Sequence, residues 1–160
     1  LVADIMRKTA RADIALVNAG SIRANIAAGN IAVEDIMKVL PFGGHLVTMK
    51  LTGNEILEVL THFASLEPGS GGFLQVSGLT IEIEKKQIKT LGINGKQLEP
   101  EKIYKVATND FLAAGGDGYN TFKNGRDYMD TGLVISDIFT DYVKEQKEIN
   151  VTTDGRIKKD

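Results

Sequence analysis

The tightest constraint on how this chain folds is the stretch Thr108-Asn109-Asp110-Phe111-Leu112-Ala113-Ala114-Gly115-Gly116-Asp117-Gly118-Tyr119. It follows Ile103-Tyr104-Lys105-Val106-Ala107, a β-branched run that reads as a buried strand. Three of the four positions from 115 to 118 are glycine, and glycine lets the backbone take positive φ and approach another group closely. A strand that runs into such a segment delivers its next side chains to a mouth and not to a core. One carboxylate, Asp117, sits among the glycines, and an aromatic, Phe111, lies six residues earlier. A ring and an acceptor-only carboxylate on one tight loop suit a ligand with a flat face and neighbouring hydroxyls. A surface turn with a solvated Asp and a core Phe satisfies the same letters, because Gly-Asp-Gly turns are common. The rest of the chain decides between the two.

Composition removes several classes of function. At 160 residues the chain is about one domain, long enough to bury a core. A net charge of −2 gives no sign of a nucleic-acid or acidic-membrane partner. No run of 18 apolar residues occurs, so no segment reads as a membrane-spanning helix. Without cysteine there is no disulfide framework and no thiolate metal site. His45 and His62 are the only histidines and lack ligand-type spacing; His62 falls along a helix. There is no Gly-x-Ser-x-Gly elbow and no phosphate-cradling Gly-Lys-Ser/Thr loop. Nothing in these residues activates water, and on them alone the chain reads as a binder. It opens on Leu1-Val2-Ala3-Asp4-Ile5-Met6, already amphipathic, with no initiator Met and no cap. That start is expected of a piece cut from a longer polypeptide.

Helices and strands alternate irregularly, with hairpins mixed in. After the opening helix, Asp13 to Val17 reads as a short buried strand that feeds a polar turn, Asn18 to Arg23. A short helix follows and ends near Leu40, where Pro41 blocks its continuation. Leu46 to Leu51 is a strand. Thr52-Gly53-Asn54-Glu55 then has the capping residue and the acid three positions on that start a helix. That helix runs to about Ser65 and sets Ile56, Leu57, Leu60 and Phe63 on one side. Gly78 to Glu84 and Gln87 to Ile93 read as paired strands, and Asn94-Gly95 as a hairpin turn. Thr131 or Ser136 is the expected cap of the last long helix, which runs to about Lys147. Asp154-Gly155-Arg156-Ile157 is read as a final strand. The pattern predicts one compact α+β domain, residues 1–160, with a single mixed sheet and helices packed on it.

Four glycine-flanked turns leave apolar segments: Asn18 to Arg23, Pro41 to Gly44, Gly69 to Gln75, and Phe111 to Tyr119. Loops at one edge of a sheet commonly build a binding site. Each candidate also has a plainer role. Arg23 serves equally as a surface cation or as a clamp for an anion or sugar hydroxyl. Asn18 serves as an Asx-turn, and Phe42, after proline, as a core residue.

Together the segments Asn18-Ala19-Gly20-Ser21-Ile22-Arg23, Leu40-Pro41-Phe42-Gly43-Gly44, Gly72-Phe73-Leu74-Gln75-Val76-Ser77-Gly78 and Thr108-Asn109-Asp110-Phe111 with Gly115-Gly116-Asp117-Gly118-Tyr119 change this balance. In this order they resemble the C-terminal domain of the bacterial and animal 5′-nucleotidase family. That family includes UDP-sugar hydrolase, 2′,3′-cyclic-nucleotide phosphodiesterases and ecto-5′-nucleotidase. The resemblance covers nearly the whole chain. It implies a substrate-specificity domain that partners an N-terminal metallophosphoesterase domain absent from this chain. That partner would hold two divalent metal ions and the catalytic residues, so no metal, cofactor or catalytic residue is expected here.

By the same resemblance, Phe42 and Phe111 are the rings that sandwich a base, and Asp117 is the carboxylate for the ribose hydroxyls. Arg23 is similar to the arginine that reaches ribose or phosphate, and Asn18 to an amide facing the base. Gly71 falls where the loop backbone approaches the nucleoside. Gly44 stands where some members have Asn, which removes one side-chain contact. The implied ligand is a nucleotide or nucleoside, and the implied location is extracellular, periplasmic or at the cell surface. A domain of a cyclic-nucleotide phosphodiesterase and a non-catalytic nucleoside-binding module remain as alternatives at this point.

Overall fold

Alternate residues of one five-residue strand belong to two different hydrophobic clusters. The computed structural model describes all residues from 1 to 160. In β1 (Ile14–Asn18), Ile14 and Leu16 join one cluster while Ala15 and Val17 join the other. Side chains alternate along a strand, so a strand buried on both faces must be covered on both. Here β1 lies inside a five-stranded sheet of order β3-β1-β7-β2-β8. Its other members are β3 (Leu74–Ser77), β7 (Ile103–Asn109), β2 (His45–Thr52) and β8 (Arg126–Val134). One face is covered by α1 (Val2–Ala10), α2 (Val33–Val39) and α5 (Ile135–Gln146), which supply Ile5, Met6, Ile36, Val39 and Phe139.

The other face packs on α3 (Gly53–Ser65) and on a second, four-stranded sheet of order β6-β5-β4-β9. That sheet comprises β4 (Leu79–Glu84), β5 (Gln87–Ile93), β6 (Lys96–Gln97) and β9 (Ile157–Lys159). Phe63 of α3 is fully buried and meets Phe73 edge-on, ring centroids 4.7 Å apart. The fold is α+β, with two mixed sheets where the sequence suggested one.

Several local readings hold. Thr52 and Glu55 form the capping box: Thr52 N donates to Glu55 Oε2 at 2.7 Å, and Glu55 N donates to Thr52 Oγ1. Asn94 and Gly95 both take positive φ, 49° and 76°, as a two-residue hairpin turn requires. The β4–β5 turn does the same with two lysines, Lys85 and Lys86. The final strand is Ile157–Lys159, so of the four residues read as strand only Ile157 belongs to it, and Asp154 to Arg156 precede it.

Others do not hold. Leu57 is exposed, and the apolar face of α3 is completed by Val59 and Ala64 instead. Neither Thr131 nor Ser136 caps α5. Val134 holds the cap position without a side-chain bond, Ser136 is buried inside the helix, and Thr131 lies in β8 with its hydroxyl donating to Leu46 O. The whole of β8 is missed in the sequence because it is an exposed, bulged edge strand. None of its residues is buried, Tyr128, Met129 and Leu133 included, so no inward face imposes an alternation on the sequence.

Strand direction sets where the loops go. β1 and β7 run parallel, whereas β3 and β2 run antiparallel to them. The register pairs Asn18 with Leu74 and Asn109 with Leu46. The exits of β1 and β7 and the entries to β3 and β2 therefore share one edge of the sheet.

Candidate functional site

The loops at that edge enclose a cleft of about 430 Å³. Asn18, Phe42, Gly44, Gly71, Phe111 and Asp117 all line it, so six of the seven residues singled out in the sequence meet in one place. Arg23 stands outside the lining. Its guanidinium carbon lies 6.0 Å from the Phe42 ring centroid, and Nη1 makes a long 3.4 Å contact with Gly20 O.

The two rings are exposed, Phe42 by 68% and Phe111 by 49%. The plainer reading of either as a core residue is therefore excluded. Phe42 follows Pro41 past the end of α2, on a turn where Gly43 takes φ 62°. Phe111 is the second residue of α4 (Asp110–Ala113), a single turn of helix capped by Asn109. Its ring lies against the backbone of Gly116: a Cβ on Gly116 would come within 2.5 Å of the ring carbons. Glycine at 116 is what lets the ring lie there.

Asp117 takes a left-handed conformation, φ 53° and ψ 22°, between Gly115 and Gly118, which also have positive φ. Aspartate tolerates this region better than most residues. Its carboxylate is oriented from below: Asn18 Nδ2 donates to Asp117 Oδ2 at 2.8 Å. Asn18 is itself almost wholly buried. Its Oδ1 accepts from Ser21 Oγ at 2.6 Å and from Asn109 Nδ2 at 3.0 Å. Two donors on Oδ1 fix which way the amide points, so the NH₂ group faces Asp117. The sequence reading gave Asn18 a place facing a base; in this structure one of its two amide N–H groups goes to the carboxylate.

Asn109 completes the network. Its Oδ1 accepts from Leu112 N at 2.8 Å as the cap of α4, while its amide reaches Asn18 and Ser21. Asn109, Ser21, Gly20 and Asp110 line the cleft as well and were not singled out. A signal for Asn109 existed: an Asn at the end of a strand and just before Asp-Phe-Leu is a helix cap placed on a sheet edge. The loops are also sewn together by backbone, with Gly20 N donating to Gly71 O at 2.7 Å.

Two residues after Asp117, Tyr119 is buried in the core. Burial, and then the nearby charge of Asp117, push its phenol well above the usual range, so it stays protonated and donates to Gly72 O at 2.8 Å. Next to Gly44 in the chain, Nδ1 of His45 lies 3.0 Å from Asp130 Oδ2; this hydrogen bond, helped by the charge of Asp130, raises the imidazole pKa. No group of three or more potential metal-ligating side chains occurs in the chain. The arrangement offers two flat apolar faces, a fixed carboxylate and backbone edges.

A profile of the family described as 5′-nucleotidase, C-terminal domain, matches residues 1–124. The chain belongs to that family. This 5′-nucleotidase C-terminal domain is 33% identical to the protein UshA of Escherichia coli over 141 residues, covering 88% of this chain and 26% of that protein. It is 32% identical over 151 residues to a 5′-nucleotidase of Vibrio cholerae, covering 94% of this chain and 27% of that protein. The crystal structure of a 5′-nucleotidase precursor from Thermus thermophilus superposes with a TM-score of 0.92 at 37% identity. That match covers 99% of this chain and 34% of the Thermus chain. The domain thus spans between a quarter and about a third of these relatives, which carry further polypeptide beyond it. No helix of the domain is long and apolar enough to cross a membrane.

Proposed function

We propose that this domain binds the nucleoside part of a nucleotide and presents its phosphate to a metal-dependent phosphoesterase domain of the same polypeptide. The whole protein would hydrolyse nucleotide phosphoesters to nucleoside and phosphate, outside the cytoplasm. The observation that carries this reading is the pair of exposed rings, Phe42 and Phe111, lining the same cleft as a carboxylate held in place.

The chemistry of the cleft suits that ligand. Stacking a base on an aromatic ring contributes roughly 1–3 kcal/mol and tolerates any base, because every base has a π-face. A carboxylate has no proton to give and so accepts from vicinal hydroxyls. Arg23, at the rim beside Phe42, would meet the anionic end of the ligand with a planar fork of donors. The side chains here include no donor set for a metal. Two divalent ions in the partner domain would supply Lewis-acid activation of the phosphoryl group. This domain's part is positioning, which converts a bimolecular encounter into an oriented one.

The experiment is calorimetric titration of adenosine into the wild type and into a Phe42→Ala, Phe111→Ala double variant. The expected result is loss of measurable binding with a melting transition that stays cooperative. Unchanged affinity in the double variant would sink the reading.

A further inference from the structure

Asp117 is gripped from two sides, and only one grip belongs to the cleft. On the far side stands His62, in the last turn of α3, whose neighbours Phe63 and Ala64 are fully buried. Its Nε2 lies 2.8 Å from the backbone oxygen of Asp117. A carbonyl only accepts, so Nε2 carries the proton in this contact. The imidazole is wedged edge-on against Tyr119, ring centroids 4.6 Å apart at 83°. It also fills the space beside Gly118, where a Cβ would come within 2.9 Å of Nε2. The ring does not line the cleft, and Asp117 is the lining residue to which it is hydrogen-bonded.

We infer that His62 is a positioning residue: by donating to the Asp117 carbonyl it holds the turn left-handed and so aims the carboxylate at a vicinal diol. A left-handed aspartate between two glycines is a conformation the chain leaves easily, since the same residues have broad alternatives. Asn18 fixes the carboxylate only while the backbone beneath it stays put. His62 fixes that backbone from a rigid helix, and with it the choice between a ribose and a deoxyribose ligand. This rests on the nucleoside reading for its consequence, though not for the clamp itself.

The test uses His62→Ala and His62→Gln, the second keeping an N–H at the reach of Nε2. Adenosine and 2′-deoxyadenosine are titrated into each, and amide hydrogen exchange is followed at residues 115–119. Removing one such hydrogen bond is expected to weaken adenosine about tenfold, to leave 2′-deoxyadenosine nearly unchanged, and to speed exchange at Gly118 and Tyr119. His62→Gln should recover most of both effects. Equal losses for the two nucleosides, or none, would overturn the specificity role. If the wild type binds neither nucleoside, the functional reading fails, and exchange alone judges the clamp. Unchanged exchange in His62→Ala would then overturn it as well.

Discussion

Arg156 reaches back across 152 positions to Asp4, its Nη1 lying 2.6 Å from the carboxylate Oδ1. The same guanidinium donates to Val76 O at 2.9 Å and to Asp154 Oδ2 at 2.6 Å. One side chain thus joins the opening helix, β3 and the last turn before β9, locking the two ends of the chain onto the body of the domain.

That contact predicts a pH dependence of stability. The hydrogen bond from Arg156 holds Asp154 down to about 2. Burial alone would raise Asp4, but hydrogen bonds from Arg156 and Ser77 and the nearby positive charges outweigh it, and the net direction is downward. A carboxyl whose pKa is lower in the folded state than in the unfolded one contributes stability above its unfolded value of about 4. That contribution is lost as pH falls through the folded value. The melting temperature should therefore hold from neutrality to about pH 5 and fall between about 4 and 2. Arg156→Ala should melt lower at neutrality and lose less on acidification. Glu55, Glu67, Asp127 and Asp130 are also lowered, by their own partners, and supply the slope that remains. Parallel melting curves against pH for the two proteins would count against the Arg156 network.

Asp117 should separate ligand choice from folding. Asp117→Ala removes the acceptor of a nearly buried amide and leaves Asn18 Nδ2 without its partner, at about 1–3 kcal/mol. It should melt several degrees lower and bind adenosine and 2′-deoxyadenosine equally. Asp117→Asn keeps an oxygen for Asn18, so it should melt close to the wild type yet still lose the preference. The two nucleosides titrated into each variant, beside a thermal melt, test both halves. A retained preference in Asp117→Ala would rule out the ribose role.

Gly116 offers a way to move a ring without touching it. An added Cβ would collide with Phe111, and that ring is the free end of a half-exposed side chain. Gly116→Ala should therefore cost little stability while swinging Phe111 away from its place on the loop. Adenosine binding should drop as far as it does in Phe111→Ala, by about tenfold. In a Phe111→Ala background the same glycine change should have almost no further effect, because the two act through one contact. Additive losses in that cycle would show that Gly116 matters for another reason.

The sequence carried the cleft further than it carried the sheets. Phe42, Gly44, Gly71, Phe111 and Asp117 sit on turns whose glycines and proline announce a backbone leaving its element, and all five line the cleft. β1 was readable because burial on both faces leaves a continuous apolar run, Ile14 to Val17, and β7 because β-branched and aromatic residues flank Lys105. What escaped was whatever depends on a partner far along the chain. β8 is a strand only because β2 presents an edge to it. The division into two sheets, with α3 meeting β2 of one and β5 of the other, is recorded in no window of residues. The commitment of Asn18 to Asp117 spans 99 positions, and no local rule distinguishes it from an Asx-turn.

The shared register at one edge of the five-stranded sheet has a consequence for how such a domain changes over time. The strands are pinned by side chains on their faces, whereas the cleft is furnished by residues past their ends and by Asn18 and Asn109 at their last positions. A substitution in one loop can retune which ligand is preferred without disturbing the layers beneath, and an altered interior residue can be absorbed with the mouth unchanged. Outside Asp117 and its buried partner Asn18, ligand taste and thermal robustness are free to drift along separate tracks in the same 160 residues.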